Sequence, residues 1–262
     1  MGSNSIANKQ VEHYTLGNKQ TTTLTRSLMV CGVAFISICA FSYGLYMILN
    51  NYITEENVQI IPILYGVSFV LLIVSMFMSM FTFSRIEKTS IVTILIAIIL
   101  YSIAEGIAFG ILFFAISRSF EETVNLSDLC FIFGIGGGIF LISGFIGTLM
   151  SNKTTVTLGK ILSIMTIILL LVFLPLMLIL AFIPGVQVFS DKLFALYNII
   201  AGVLFILYAA YDFSVIKKME QYIKLQSDKI QLKYVLMFGF KLLIDLIGII
   251  WTLINIYLRF KR

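Results

Sequence analysis

LFALYNIIAGVLFILYAAYDFSVIKK (residues 193–218) and YVLMFGFKLLIDLIGIIWTLINIYL (residues 234–258) decide the fold. Each run is long enough to cross about 30 Å of hydrocarbon. Each also carries one aspartate within the apolar stretch, Asp212 in the first and Asp245 in the second. A carboxylate at membrane depth is costly and marks a functional site by default. With Lys217 to Lys233 taken as a short connecting loop, Asp245 lies roughly 10 Å deeper than Asp212 at 1.5 Å per residue. The two can meet only if the last segment tilts, starts late or breaks near Gly239.

The rest of the chain has the same character. Of 262 residues, 60% are hydrophobic and 12% charged, against about 25% charged in a soluble domain. Mean hydropathy is +1.03. Five further apolar segments precede the pair: 27–50, 58–83 with Pro62 in its opening turn, 89–116, 129–150, and 160–183, which carries Pro175 and ends at Pro184-Gly185. The expectation is an all-α integral membrane fold of seven transmembrane helices over residues 26–262. Short connections make consecutive helices antiparallel neighbours. Residues 1–25 are polar and lack an apolar core with a cleavage site, so they read as a disordered tail and not as a signal peptide.

Charge gives orientation. Lys9, Lys19, Arg26, Arg85, Lys88, Lys153, Lys160, Lys217, Lys218, Lys224, Lys229 and Lys233 fall on one side of a seven-span chain, and only Arg118 and Lys192 on the other, the tail aside. By the positive-inside rule this is a multi-pass cell-membrane protein with a cytoplasmic N-terminus. The net charge of +5 is scattered between apolar runs, which excludes a nucleic-acid-binding face. Arg259, Lys261 and Arg262 run against the rule. A re-entrant last segment, interrupted by Gly239, Lys241, Asp245 and Gly248, is the alternative they leave open.

The small residues read as packing. Gly106 and Gly110, and Gly134 and Gly138, have the GxxxG spacing that lets helix backbones approach. The run FGIGGGIF sits inside an apolar helix, with no preceding strand or acidic partner, and does not form a nucleotide loop. Cys31, Cys39 and Cys130 have no metal spacing and read as small core residues.

Three carboxylates remain for chemistry. Glu105, in the middle of the third span, is either a neutral acid bonded to a neighbouring helix or a station on an ion or proton path. Asp212 and Asp245 either supply oxygen ligands to a hard cation such as calcium or share a proton as a pH-sensitive latch. Lys241, four residues before Asp245 and on the same helix face, is one candidate counter-ion. Arg85, at the inner end of the second span, is the other. An intramembrane aspartyl protease is a remote alternative. Tyr211-Asp212 fits such an enzyme, but Leu242-Leu243-Ile244-Asp245 replaces its Gly-x-Gly-Asp, and no Pro-Ala-Leu is present. The chain is therefore read as a non-enzyme.

Four stretches carry a family resemblance: FGIGGGIFLISGFIGTLMSNKTTVTLGKIL (133–162), FALYNIIAGVLFILYAAYDFSVIKK (194–218), KLLIDLIGIIWTLINIYLRF (241–260) and the Glu105-Gly106 step. In order and spacing they resemble the transmembrane Bax inhibitor motif (Bax inhibitor-1/YccA-like) family, from about Arg26 to the C-terminus. The resemblance implies six helices around a central seventh and a pH-sensitive calcium leak. It places the gate at Asp212 and Asp245, with Arg85 the best match for a basic latch partner. It needs no cofactor beyond calcium as the permeant or bound ion, with lipid and protons as the other partners. Three departures stand out: a longer separation between the aspartates, Lys241 in place of a small or apolar residue, and Glu105 in place of a neutral one. YccA-like relatives also raise another possibility, a non-conducting regulator that binds a membrane protease or other membrane protein, with residues 1–25 as its handle.

Overall fold

The computed structural model describes residues 22–53, 58–119, 126–173, 175–176 and 187–260. Seven helices account for almost all of them: α1 (Thr23–Tyr52), α2 (Ile60–Ser84), α3 (Ile91–Ser119), α4 (Leu126–Leu149), α5 (Asn152–Ile168), α6 (Gln187–Lys224) and α7 (Asp228–Phe260). All but α5 are long and apolar enough to cross a membrane, and the protein is a multi-pass membrane protein. A π-helical turn, Leu169–Phe173, extends α5. It lies just before Pro175, whose ring removes a backbone donor and crowds the carbonyl one turn earlier. The end of the expected fifth span, like most of the polar tail, lies outside the described residues.

Helix starts follow local chemistry. Thr22 and Ser151 accept hydrogen bonds from the backbone N–H of Thr25 and Thr154, and Ser90 does the same for Thr93. These side chains satisfy amides that the first helical turn leaves open. Pro62 sits in the first turn of α2, where its missing N–H costs nothing.

Packing inverts the soluble pattern. The buried residues of α2 are Ser68, Ser75 and Thr82, spaced by seven, while Phe69, Phe77, Met80 and Phe81 face outward. Lipid solvates apolar side chains as well as a protein core does, so contact surfaces select small residues that admit a close neighbour. Ser68 Oγ donates to the Ala104 carbonyl of α3 at 2.8 Å, and Ser27 Oγ of α1 donates to the Val235 carbonyl of α7 at 3.2 Å.

The glycines divide sharply. Phe41 and Leu45 of α1 pack onto Gly106 and Gly110, so this GxxxG pair forms a contact surface as its spacing predicts. Gly134 and Gly138 face open space. The close approaches of α4 are made instead by Gly136 against Ile250, Gly144 against Phe213 and Gly147 against the Ala210 backbone. The GxxxG spacing picks out the wrong face of α4, because a glycine-rich run presents glycine on every side.

α7 is the axis of the bundle. In its most apolar stretch 78% of residues are buried, against 11% in α2. Four helices, α1, α3, α4 and α6, pack along it, while α2 leans mainly on α3 and α5 on α6. The helix is continuous through Gly239, where the close neighbours are Val30 and the Ser27 carbonyl of α1. The interruption that favoured a re-entrant segment is thus a packing contact within an unbroken 33-residue helix.

The expected loop from Lys217 to Lys233 is mostly helix. α6 runs on to Lys224, only Leu225–Ser227 turn, and α7 begins at Asp228. Hydropathy falls at Lys217, but helix propensity does not. Glu220 and Lys224 pair at 3.0 Å one turn apart, Ile223 is buried, and the Tyr222 and Tyr234 rings meet edge to face at 6.3 Å. The hairpin is tied to its neighbours at this end of the bundle. Lys217 Nζ donates to the Thr148 carbonyl, Lys218 Nζ to the Ser151 carbonyl and to Thr155, and Lys233 Nζ to the Glu87 carbonyl. At the opposite end Arg118 donates to the Ile53 carbonyl, and the Arg259 guanidinium lies 4.8 Å from the centre of the Phe194 ring.

Candidate functional site

Small residues fix the register of the α6–α7 pair. Thr252 packs onto Gly202, and Phe205 onto Gly248. Carried along the antiparallel helices, this register sets Asp212 level with Lys241 and Asp245 one turn deeper, about 6 Å at 1.5 Å per residue. The expected gap of roughly 10 Å shrinks because the turn is three residues and both helices extend toward it.

Lys241 Nζ donates to Asp212 Oδ1 at 3.0 Å. The lysine bridges the two helices and does not pair along its own helix with Asp245. Its ammonium also lies 4.5 Å from the centre of the Phe83 ring of α2, a cation–π contact that helps hold a charge away from water. Asp212 is almost wholly buried, its side chain 5% exposed, while Lys241 is 31% exposed. The Asp245 carboxyl lies beside that of Asp212, close enough for the two groups to interact electrostatically. Asp245 Oδ2 is nonetheless buried and receives no N–H or O–H donor. Two carboxylates are acceptors only, so neither can donate to the other. Their contact becomes a hydrogen bond when one proton is shared between them.

The triad forms the floor of a cavity of about 500 Å³. Ser79, Met80 and Phe83 of α2, Thr166 of α5, Phe205 and Tyr208 of α6, and Phe240 and Ile244 of α7 line it. The cavity lies between α2 and α5, the two helices that do not pack along the axis.

Glu105 of α3 lies further along α7. Its Oε2 accepts the Trp251 indole N–H at 2.7 Å, and Tyr101 lies beside the same carboxyl. Tyr101 in turn packs edge to face on Phe240 at 5.4 Å. Asp212, Asp245, Lys241 and Glu105 thus belong to one buried polar column around α7. Arg85 does not join it; it is exposed at the end of α2 and forms no ion pair among the described residues. Phe83, Tyr101 and Trp251 escape sequence reasoning. Tyr101 is one turn from Glu105 and Trp251 is the only tryptophan, but neither spacing nor composition shows which helices face each other.

The column does not fit a resident calcium ion. Calcium takes six to eight oxygens, whereas here an ammonium occupies the open side of Asp212. Among the described residues no three His, Cys, Asp or Glu side chains converge as a metal-ligand group.

No protein-family model, curated protein or solved structure matches this chain.

Proposed function

We propose that this protein is a proton-gated cation leak of the cell membrane, with its N-terminus and lysine-rich end in the cytoplasm and calcium as the permeant ion. α5 with its π-helical turn supplies the seventh span. The reading rests on one observation: two buried carboxyls side by side, with Lys241 on one of them, lining one cavity between the helices. The calcium assignment draws on the resemblance to the Bax inhibitor-1/YccA-like family. In this reading the latch partner is Lys241 and not Arg85, and the protein is not an enzyme.

The mechanism follows from charge balance. With one proton between Asp212 and Asp245, the pair carries a single negative charge that Lys241 neutralises, and α6 and α7 are held together. Loss of that proton leaves two carboxylates facing one ammonium in a poorly solvated site. Like charges in contact there repel strongly, and the helices separate. The leak therefore opens as pH rises through the titration of the pair.

Calcium efflux from proteoliposomes between about pH 6 and 8, a range that buried coupled carboxyls can reach, tests this. Wild-type flux is expected to rise with pH. Asp245→Asn keeps a neutral partner for Asp212 at every pH, so its flux should stay low and flat. Absence of flux from the wild-type protein at every pH, or an unchanged profile in the variant, contradicts the gate.

A further inference from the structure

The cavity between α2 and α5 is apolar over most of its wall, with Met80, Phe83, Phe205, Phe240 and Ile244 among its lining. Its hydroxyls are already committed to the protein. Ser79 and Ser84 donate to the Met76 and Phe81 carbonyls of their own helix, and the Thr166 and Tyr208 hydroxyls bond to each other at 2.7 Å. Asp212 Oδ1 is taken by Lys241. Among the described residues, Asp245 Oδ2 is the one buried polar atom of this cavity without a partner. Asp245 is only 5% exposed, and a buried acceptor left unmet is costly.

The charges are unequal as well. Two carboxylates line the cavity with one ammonium, that of Lys241, which is held by Asp212 and by the Phe83 ring. No second cationic side chain pairs with Asp245 among the described residues. A carboxyl turns readily about its Cβ–Cγ bond, so either Asp245 oxygen can be brought to the cavity side. A hard metal ion does not suit such walls, because it needs six or more oxygens. An organic ammonium does: one or two acceptors satisfy it, and its hydrocarbon lies on the apolar wall. The volume of about 500 Å³ is that of a small-molecule site. Met80 and Phe83 line it and are exposed, so it opens on the flank of the bundle, the side from which an amphiphile dissolved in lipid arrives.

We infer that this cavity binds a protonated lipophilic amine, with its ammonium donating to Asp245 and its hydrocarbon packed against Met80 and Phe205. The site shares its carboxylates with the gate proposed above but does not need ion flux. Where the carboxyl pair holds a proton, the ammonium takes its place, and that proton leaves to solvent.

Calorimetric titration of the purified protein in neutral detergent with n-octylammonium chloride tests the site. The wild-type protein is expected to bind one octylammonium saturably. Asp245→Asn should weaken binding about tenfold or more, the loss of one hydrogen bond to a charged group. n-Octanol has the tail without the charge and should also bind at least about tenfold more weakly. n-Butylammonium keeps the charge but lacks four methylenes to bury, and should likewise fall by more than about tenfold; this separates a lipophilic amine from a small water-soluble one. Met80→Trp narrows the cavity without touching the carboxyls and should weaken octylammonium binding too; it serves if Asp245→Asn fails to fold. Wild-type affinity in either variant, equal binding of octylammonium and either comparison compound, or no saturable binding to the wild-type protein overturns the site. Because the titration reads no flux, a protein that binds the amine as expected and passes no calcium keeps the site and loses only the leak.

Discussion

Replacing Lys241 by methionine is expected to destabilise the folded protein by about 2–3 kcal/mol, at or just below the lower end of the roughly 3–5 kcal/mol for breaking a fully buried ion pair. The lower end applies because Lys241 is 31% exposed to the cavity, where solvent screens part of its charge, and because an unpaired Asp212 can take up a proton instead of remaining charged. Methionine preserves most of the stem volume, so lost packing contributes little. Thermal unfolding in detergent measures the loss. Adding Asp212→Asn to the variant should recover most of it, since the orphaned charge is then gone. A double-mutant cycle should give a coupling of at least about 1 kcal/mol for groups in direct contact. Strict additivity would mean that the lysine is an exposed anchor and not the partner of Asp212.

The second large effect lies outside the polar column. At Gly147 an added methyl would fall on the Ala210 carbonyl of α6, with the Ala210 Cα only 2.9 Å away. Backbone cannot rotate aside as a side chain can. α4 and α6 must separate, which also loosens the Phe213 ring packed on Gly144. Gly147→Ala is therefore expected to cost about 3 kcal/mol, the upper range for overpacking. Gly134→Ala on the same helix is the control. No atom lies within 4 Å of its added methyl, and alanine is a better helix former than glycine by about 1 kcal/mol, so stability should hold or rise. Equal losses at the two sites would contradict the helix crossing at Gly147 and Ala210.

How much of this was legible beforehand depends on what hydropathy encodes. It records which stretches prefer lipid, and the helices appear where the apolar runs are. It does not record where a helix stops. Lys217 to Lys233 reads as loop because it is charged, yet charged residues with i,i+4 pairing make good helix outside the bilayer. That error put Asp245 too deep; the register set by Gly202 and Gly248 corrects it. Asp212, Asp245 and Glu105 stand out because carboxylates are rare in apolar runs. Their partners do not. Lys241 reads as a neighbour of Asp245 on its own helix, and only the facing of α6 and α7 assigns it to Asp212. Arg85 suits the latch by its end of the span, but its side chain lies outside the column. Trp251 and Tyr101 look like ordinary interior aromatics until α3 is placed against α7.

In the proposed gate, Asp212 and Asp245 hold one proton between them beside Lys241. Infrared spectroscopy of the purified protein tests this most directly, because a protonated carboxyl has a C=O stretch that a carboxylate lacks. The wild-type protein should show a carboxylic-acid band that disappears as pH is raised and is missing from Asp245→Asn. Identical carboxylic-acid bands in the two proteins at every pH would contradict the shared proton.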